Sequence, residues 1–379
     1  MVTKFGSAIF NPKYASAVEK AGFDSIWVPD HFAPFSHEAG MRDPANSGGW
    51  MALPSLPLIL SNTTRCAAGT NVLCPTLRYH PAIIAQYFAQ LDYLFPGRTI
   101  MGIGTGEAVN ETPIVGRFPP YQERMERLHE AIAVMRRLWT SEDYFDYQGR
   151  YYKLKNVFLY AKPKEKIPIV ISAFGPKSAE LAGKVGDGII IHWARPQQKR
   201  NLILKRFVEA ATNACKDPDT MIKAAYFQGG ITSDPLTVVR FAKASWSWSA
   251  LSSIHEPDPR KVDEKAQQLS DEEVLKHCTL VQKVDDLIER FDSALKAGMN
   301  HLIISDVTHG LVRFNLASPE DADWPKNVLP YLREKYEYDA ARASMSISLC
   351  CGHPRLKSRT QARSHRSLEV IRLGDRETD

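Results

Sequence analysis

Residues 167–192, IPIVISAFGPKSAELAGKVGDGIIIH, contain two short apolar runs on either side of an amphipathic stretch. The apolar runs Ile167–Ala173 and Gly188–His192 predict β-strands, and Pro176–Val185 predicts a helix that begins at a proline. Two strands that are joined by a helix favour a parallel βαβ unit. The rest of the chain repeats this pattern.

Strand and helix candidates alternate almost from end to end. The other six strands are predicted at Lys4–Phe10, Asp24–Val28, Arg65–Leu73, Thr99–Ile103, Met221–Gly229 and His301–Ser305. The other helices are predicted at Pro12–Ala21, Pro81–Phe95, Tyr121–Trp139, Pro196–Ala214, Pro235–Ser249 and Val284–Ala297. Eight βα units predict an α/β fold of the closed (β/α)₈ TIM barrel type with insertions, and an open doubly wound sheet with two extra strands is the alternative.

Two insertions interrupt this alternation. The segment Tyr144–Tyr160 is rich in aromatic residues and contains a Gln-Gly turn, which predicts a β-hairpin. The segment Ser252–His277 is polar, contains a helical stretch of alternating charge, and predicts a lid on the seventh βα connection. We expect one barrel domain over residues 1–338 and a basic, disordered tail over 339–379, because the tail lacks hydrophobic periodicity.

The composition argues against several classes of protein. Of the 379 residues, 44% are hydrophobic and 24% are charged, which is typical of a globular enzyme. The formal net charge is +5, but residues 340–379 alone contain eight Lys or Arg and only four Asp or Glu. Since this leaves the barrel almost neutral, we expect a small-molecule substrate and no nucleic-acid partner.

Targeting and metal-binding signals are absent from the sequence patterns. No apolar run approaches the roughly 20 residues that cross a bilayer, and the first residues lack the apolar stretch of a signal peptide. The six cysteines have no CxxC spacing and predict reduced thiols rather than a metal site: Cys66, Cys74, Cys215, Cys278, Cys350 and Cys351. We therefore expect a cytoplasmic protein with no membrane partner and no metal.

Four polar or glycine-rich segments follow predicted strands, where (β/α)₈ barrels carry their chemistry. After the second strand, Asp30 and His31 form an acid–imidazole pair suited to proton transfer, or else Asp30 merely caps a turn. After the fourth strand, Glu107 is a candidate acid or base, or else a solvated turn residue.

The third and fifth strands end in segments that suit ligand binding. Residues 69–76 after the third strand are small and polar. Gly175 begins the helix after the fifth strand, where free backbone N–H groups, Lys177 and Ser178 could hold a phosphate. An ordinary capped helix is the alternative there.

Three motifs together resemble a known family. They are Asp-His-Phe-x-Pro at 30–34, Gly-Thr-x-Val-Leu-x-Pro-Thr-x-Arg-Tyr-x-Pro-Ala-Ile-x-Ala-Gln at 69–86, and Gly-Thr-Gly-Glu-Ala-x-Asn-Glu at 104–111. The chain resembles the coenzyme F420-dependent branch of the luciferase-like superfamily, and within it the glucose-6-phosphate and secondary-alcohol dehydrogenases. The resemblance extends from about Lys4 to Arg333.

This resemblance implies hydride transfer between an alcohol carbon and the deazaflavin coenzyme F420, by an enzyme that forms homodimers. It implies that His31 exchanges a proton with the substrate hydroxyl and that Glu107 manages the proton of the reduced ring. A cis peptide bond at Asn71–Val72 is implied behind the ring. The remaining implied cofactor contacts are Asp30, Cys74, Thr105, Gly106, Asn110, Phe174, Gly175, Lys177 and Ser178.

Departures from the family pattern concern the substrate. Phe35 stands where the family usually has Trp, so an indole N–H donor is lost. The first βα connection is shorter and lacks an acidic residue near Asn11. Of three basic residues that hold the phosphate in sugar-phosphate enzymes, only Arg195 remains: His277 replaces an Arg, and no Lys lies near Ser252. We therefore expect a small alcohol or carbonyl substrate rather than glucose 6-phosphate.

Several other functions remain open on the same fold. They are an F420-dependent sugar-phosphate dehydrogenase, a methylene-tetrahydromethanopterin-type reductase, an FMN-dependent monooxygenase and a non-catalytic barrel that only binds the cofactor.

Overall fold

A computed structural model describes residues 3–44, 49–236, 238–240, 243, 253–306 and 323–336. The predicted tail 339–379, residue Ser252 and much of the helix predicted at Pro235–Ser249 lie outside these ranges. The domain boundary at 338 therefore stays a prediction.

Eight parallel strands close into a barrel, which confirms the (β/α)₈ architecture over the open sheet. Eleven strands are described, of which β5, β6 and β10 lie outside the barrel. In chain order they are β1 Lys4–Ala8, β2 Ser25–Val28, β3 Ala67–Thr70, β4 Thr99–Ile103, β5 Phe145–Gln148, β6 Lys153–Val157, β7 Ile169–Ser172, β8 Gly188–His192, β9 Ile222–Ile231, β10 Thr279–Val281 and β11 His301–Asp306. Around the barrel the order is β1, β2, β3, β4, β7, β8, β9 and β11, and β11 pairs with β1. Each predicted strand overlaps one of these eight.

Helices surround the barrel. They are α1 Ala15–Lys20, α2 His37–Arg42, α3 Ala52–Ser61, α4 Pro81–Leu94, α5 Ala108–Val115, α6 Tyr121–Thr140, α7 Pro176–Val185, α8 Gln197–Asn213, α9 Pro259–Gln267, α10 Asp271–Leu275 and α11 Val284–Lys296, followed by α12 at 324–336. A short 3₁₀ turn, Pro12–Tyr14, precedes α1, and the Asn11 side chain accepts a hydrogen bond from the Lys13 N–H at its start.

Alternation along the strands divides the apolar side chains between two cores. In β7 and β8, Val170 and Ile190 point into the barrel, whereas their neighbours pack outward against the helices. The inner core is completed by Trp27, Ile100, Ala224 and Ile303. This period of two is what strands that are buried on both faces require.

The indole of Trp27 fills the barrel interior and depends on glycines around it. A Cβ atom on Gly69 would lie 2.7 Å from Trp27 Cε3, and one on Gly102 would lie 1.9 Å from the Thr70 carbonyl oxygen and 3.3 Å from Trp27 Cζ3. The Trp27 indole N–H donates to Ser25 Oγ at 2.9 Å, and that hydroxyl lies 2.8 Å from His301 Nε2. Polar groups inside the barrel are thus paired with each other, as buried polar groups must be.

Both predicted insertions are present. Strands β5 and β6 form the antiparallel hairpin inside Tyr144–Tyr160. After β9 the chain forms α9, α10 and the short parallel strand β10, which extends the sheet beside β9. The predicted lid reaches the neighbouring loops, because Asp263 Oδ2 accepts from the Glu38 N–H at 3.0 Å and the His255 ring lies 5.7 Å from that of Phe118.

The pattern did not predict α2, α3, α5, α12 or β10. Helix α3 contains Pro54 and Pro57, which normally argue against a helix. It forms because Leu56, Ile59 and Leu60 on one side are fully buried, so that packing outweighs the hydrogen bond lost at Pro57. None of the helices described in the structure is long and apolar enough to span a membrane.

We predict that Gly102→Ala destabilises the barrel by about 1–3 kcal/mol, because the added methyl group collides with a strand carbonyl beside Trp27. Urea unfolding would measure this change. Gly175→Ala is the matched control, since a Cβ there would meet nothing within 4 Å. Equal stabilities of the two variants would contradict the packing argument.

Candidate active site

The candidate catalytic residues meet at the carboxyl ends of three adjacent strands. Asp30 and His31 follow β2, Arg78 lies in the loop after β3, and Glu107 and Asn110 follow β4. Since β2, β3 and β4 are neighbours in the barrel, these loops lie side by side. Residues that are 78 and 79 positions apart are in this way brought into hydrogen-bonding contact.

A buried ion triad joins the three loops. The Arg78 guanidinium contacts the Asp30 carboxylate through Nη2 and Glu111 Oε1 through Nε at 3.3 Å, and the side chains of both acids are fully shielded from solvent. Nη2 also donates to the Asp30 carbonyl oxygen at 2.8 Å, and the Arg78 N–H donates to Glu111 Oε2 at 3.1 Å. The triad thus links the end of β2 to helix α5.

Asp30 is saturated with structural partners. Its Oδ1 accepts from the Ala52 N–H at 2.9 Å and from the Tyr79 hydroxyl at 3.2 Å, in addition to the contact of Oδ2 with Arg78. Burial raises the pKa of the Asp30 carboxyl, and the charge of Arg78 opposes that rise. These contacts give Asp30 a role in holding the loop that carries His31. A direct contact of Asp30 with a cofactor stays a prediction.

His31 lies half-buried between an amide and an aromatic ring. Its Nδ1 is 3.1 Å from Asn110 Nδ2, and its ring stands edge-on to Phe35 at a centroid distance of 4.8 Å. Burial, and after it the positive charge of Arg78, lowers the pKa of His31 to about 4. The imidazole is therefore neutral at pH 7.

Glu107 is bound to the same amide. Its Oε2 accepts a hydrogen bond from Asn110 Nδ2 at 3.0 Å. Burial raises the pKa of Glu107 to about 7, and the nearby charge of Glu111 adds to this rise. A carboxyl group with a pKa near neutrality can give or take a proton under physiological conditions.

The loop after β3 forms a wall behind these groups. The peptide bond Asn71–Val72 is cis, as the resemblance implied. A Cβ atom on Gly104 would lie 2.9 Å from Val72 Cγ2, and Gly106, which has φ of +80°, leaves no room for a side chain beside the Cys74 thiol. Glycine at these two positions therefore lets Val72 and Cys74 pack directly against the backbone of the loop after β4.

A second group of predicted residues lies at the start of α7. Ser178 Oγ donates to the Gly175 carbonyl at 3.0 Å and lies 3.3 Å from its N–H, which caps the helix. Phe174 and Lys177 are exposed at this helix start. Both the phosphate site and the ordinary capped helix fit this geometry.

Arg195 and His277 lie close together at the rim after β8. The Arg195 guanidinium stacks over the Phe174 ring at 4.5 Å, which joins this end of the site to the start of α7. Burial lowers the pKa of His277, and the positive charge of Arg195 lowers it further. His192 at the end of β8 lies near both side chains, and burial, together with the charges of Arg195 and His277, lowers its pKa to about 4, so that its imidazole is neutral at pH 7.

Sequence reasoning missed the residues that support the site. Arg78, Tyr79 and Glu111 lie inside the quoted motifs but were not assigned a role there. Arg124, which donates to the Gly106 carbonyl at 3.2 Å, and His192 carried no signal beyond their positions in a predicted helix and strand. Among the residues that the structure describes, no three His, Cys, Asp or Glu side chains are grouped so as to hold a metal ion.

Comparison with known proteins assigns a family. A family model described as luciferase-like monooxygenase matches residues 8–301. The chain is 36% identical over 326 residues to an F420-dependent glucose-6-phosphate dehydrogenase from Amycolatopsis mediterranei, and the match covers 85% of this chain and 93% of that relative.

Solved structures show the same fold. An F420-dependent secondary alcohol dehydrogenase in complex with an F420-acetone adduct superposes with a TM-score of 0.76 at 30% identity, over 87% of this chain and 99% of that one. The coenzyme F420-dependent tetrahydromethanopterin reductase from Methanopyrus kandleri gives a TM-score of 0.66 at 19% identity, over 87% of this chain and 99% of the other. At that identity the second likeness concerns the fold alone.

We predict that Arg78→Met lowers the free energy of unfolding by about 3–5 kcal/mol, since it leaves two buried carboxyls without their cation. The loss will be larger at pH 8 than at pH 5. Burial raises the pKa of the Asp30 and Glu111 carboxyls, so each binds its proton more tightly in the folded than in the unfolded chain. The stability that this proton binding provides at low pH is lost as the pH rises through the folded-state pKa. Urea unfolding at both pH values would measure this difference.

Arg98→Met is the matched control. Arg98 donates to the carbonyl oxygens of Leu60, Thr63 and Cys66 and contacts no carboxylate, so its loss should destabilise the fold equally at pH 5 and pH 8. If Arg78→Met also lost the same free energy of unfolding at pH 5 and pH 8, the charges of Asp30 and Glu111 would not explain its instability.

Proposed function

Since this chain belongs to the luciferase-like monooxygenase family, we propose that it is a coenzyme F420-dependent oxidoreductase that transfers a hydride between an alcohol or sugar carbon and the deazaflavin. The coenzyme is supported by its F420-dependent relatives. The observation that carries the chemistry is the pair His31 and Glu107, joined by one amide beside the cis peptide wall.

The residues of the rim fit a deazaflavin. Asn71, Val72 and Cys74, which the cis peptide holds beside Gly104 and Gly106, would form the wall behind a flat ring system. When bound, the coenzyme supplies the chemistry of a two-electron hydride acceptor. Thr105, Asp30 and Asn110 are our further candidates for contacts near the ring.

The other end of the coenzyme would lie at helix α7. Backbone N–H groups at the start of this helix and the exposed ammonium of Lys177 suit a phosphate group. Gly175 and Ser178 form the turn at the helix start through their hydrogen bond. The Phe174 ring stacks against the Arg195 guanidinium and would lie between this phosphate site and the substrate.

We assign His31 to the substrate oxygen and Glu107 to proton transfer. We place the His31 ring at the substrate oxygen, where Phe35 forms an apolar wall on one side. Glu107 can hold or release a proton at its carboxyl near pH 7. Alcohol oxidation removes a hydride from the carbon and a proton from the hydroxyl. The site therefore needs one group that binds the substrate oxygen and one group that can take up a proton.

A small alcohol or carbonyl is the substrate class we propose first. Phe35 and the single Arg195 leave little to bind a strongly charged group. A sugar phosphate is the second candidate, favoured by the glucose-6-phosphate dehydrogenases among the relatives and by the Arg195 guanidinium.

We also propose that the enzyme acts in the cytoplasm as a homodimer. Exposed apolar side chains on α3 and α4, among them Leu58, Ile83 and Leu94, support a contact between two copies. Light scattering of the purified chain would measure its mass in solution.

We predict that the protein bleaches the visible band of coenzyme F420 when a secondary alcohol such as isopropanol is added. Glucose 6-phosphate as a parallel substrate separates the two substrate classes by the ratio of kcat/KM. Binding of the coenzyme with no bleaching by any alcohol or sugar phosphate would indicate a barrel that only binds it, and FMN retained through purification would indicate the monooxygenase alternative.

The His31→Ala variant serves as the site control for this assay. It should keep its affinity for coenzyme F420 within a few-fold while turnover falls by about 10²–10⁴-fold. Unchanged turnover would remove His31 from the reaction.

We predict that kcat changes with an apparent pKa near 7 and that Glu107→Gln abolishes this step, because Gln cannot titrate. Turnover against pH for both proteins would measure this. Glu142→Gln, at an exposed position after α6, is the control and should keep the profile of the parent. A step that survives in Glu107→Gln would assign the titration to another group.

A further inference from the structure

Asn110 contacts the side chains of His31 and Glu107, the two candidate catalytic residues, and the backbone of the two residues that follow His31. The residue is buried, with 1% of its surface exposed, in the first turn of α5. Its Oδ1 accepts from the Phe32 N–H at 2.8 Å and lies 3.4 Å from the Ala33 N–H. Its Nδ2 lies 3.1 Å from His31 Nδ1 and 3.0 Å from Glu107 Oε2.

These four contacts determine the orientation of the amide. The Phe32 and Ala33 backbone groups can only donate, so the atom that faces them must be the carbonyl oxygen. A flipped amide would place NH₂ against two N–H donors and leave buried groups unpaired, which is costly. The amide nitrogen therefore faces His31 and Glu107.

The orientation of the amide decides which nitrogen of His31 carries the proton. Nδ2 has two hydrogens and two acceptors, one of them the lone pair of His31 Nδ1. A neutral imidazole whose Nδ1 accepts a hydrogen bond carries its hydrogen on Nε2. The ring is neutral because burial and the Arg78 charge disfavour the imidazolium.

We propose that Asn110 is a positioning residue that holds His31 as the Nε2–H tautomer, so that His31 donates a hydrogen bond to the substrate oxygen and does not accept the hydroxyl proton. This assignment differs from the role of proton acceptor that the sequence resemblance implied. We infer the tautomer from the contacts of Asn110, beside which the His31 ring has a hydrogen bond with the Ala33 backbone that raises its pKa. Only the mention of a substrate oxygen rests on the proposed function.

The proposal separates the roles of the two side chains. A neutral N–H donor stabilises negative charge that develops on the substrate oxygen without changing its own protonation state. The hydroxyl proton that is released as the hydride leaves the alcohol carbon would then be taken up by the ionised Glu107 carboxylate, the group of this network with a pKa of about 7. The charged or titratable groups that act on Glu107 are Glu111, Arg78, Asp30, Cys74 and Arg124.

The first test is the ¹⁵N spectrum of the full chain with labelled histidine. We expect the His31 signals at pH 7 to show a protonated Nε2 and an unprotonated Nδ1, since the shifts of the two nitrogen types are far apart. The spectrum of His31→Gln identifies the signals by their loss. A proton on Nδ1 in the parent protein would overturn the proposal.

The second test is Asn110→Asp, which keeps the acceptor for the Phe32 N–H and replaces the donor that faces His31. We expect the ring proton to move to Nδ1 and the turnover with coenzyme F420 and alcohol to fall by about 10²-fold or more. An unchanged tautomer in the folded variant would contradict the role of Asn110. The spectrum of the parent decides the question even if this variant does not fold.

Asn300→Asp is the matched control. Asn300 has the same kind of contacts, because its Oδ1 accepts from the Lys223 N–H at 2.8 Å and its Nδ2 donates to the Met221 carbonyl at 2.9 Å. Since Asn300 lies at the start of β11, at the opposite end of the strand from the loops of the site, its replacement should leave the His31 signals unchanged. If coenzyme F420 is not used but the tautomer is as expected, the proposed function fails and this inference stands. If coenzyme F420 is used but the proton lies on Nδ1 of His31, this inference fails and the proposed function stands.

Discussion

The loops that carry the candidate catalytic residues are joined by the buried charge of Arg78. A guanidinium that is removed from water needs anionic partners, and here Asp30 in the loop after β2 and Glu111 in helix α5 supply them. The contact of Nη2 with the Asp30 carbonyl adds a constraint on the backbone next to His31. Loops are usually the less ordered parts of a barrel, so this triad provides the rigidity that a reaction site requires.

Burial is the main cause of the pKa shifts in the site, and the charges of the triad adjust them. At His31, burial and then the charge of Arg78 oppose formation of the imidazolium. At Glu107, burial and the charge of Glu111 oppose ionisation, whereas the charge of Arg78 favours it. Asn110 lies between them and contacts both, so that the protonation of one side chain and the tautomer of the other depend on a common hydrogen-bond network.

The interior of the barrel is packed by residues other than those of the candidate active site. Trp27 and the glycines around it fill the interior, and Ser25 and His301 pair with each other and with the indole. At the rim after β8, Arg195 lies close to His192 and His277. A glucose-6-phosphate dehydrogenase and a secondary alcohol dehydrogenase are both similar to this chain, so the fold alone does not select the substrate.

The sequence alone determined the barrel, because alternation in strands such as β8 and periodicity in helices such as α7 are local patterns that burial imposes directly. It also placed His31 and Glu107 at strand ends and, through resemblance, the cis peptide at Asn71–Val72. It did not predict α3, since the burial of Leu56 and Leu60 that stabilises this helix is a tertiary property. The partners of Arg78, 48 and 33 positions away, and the four contacts of Asn110 were decided only by tertiary structure. Such contacts depend on which loops the closed barrel places side by side, and no local pattern of residues encodes that proximity.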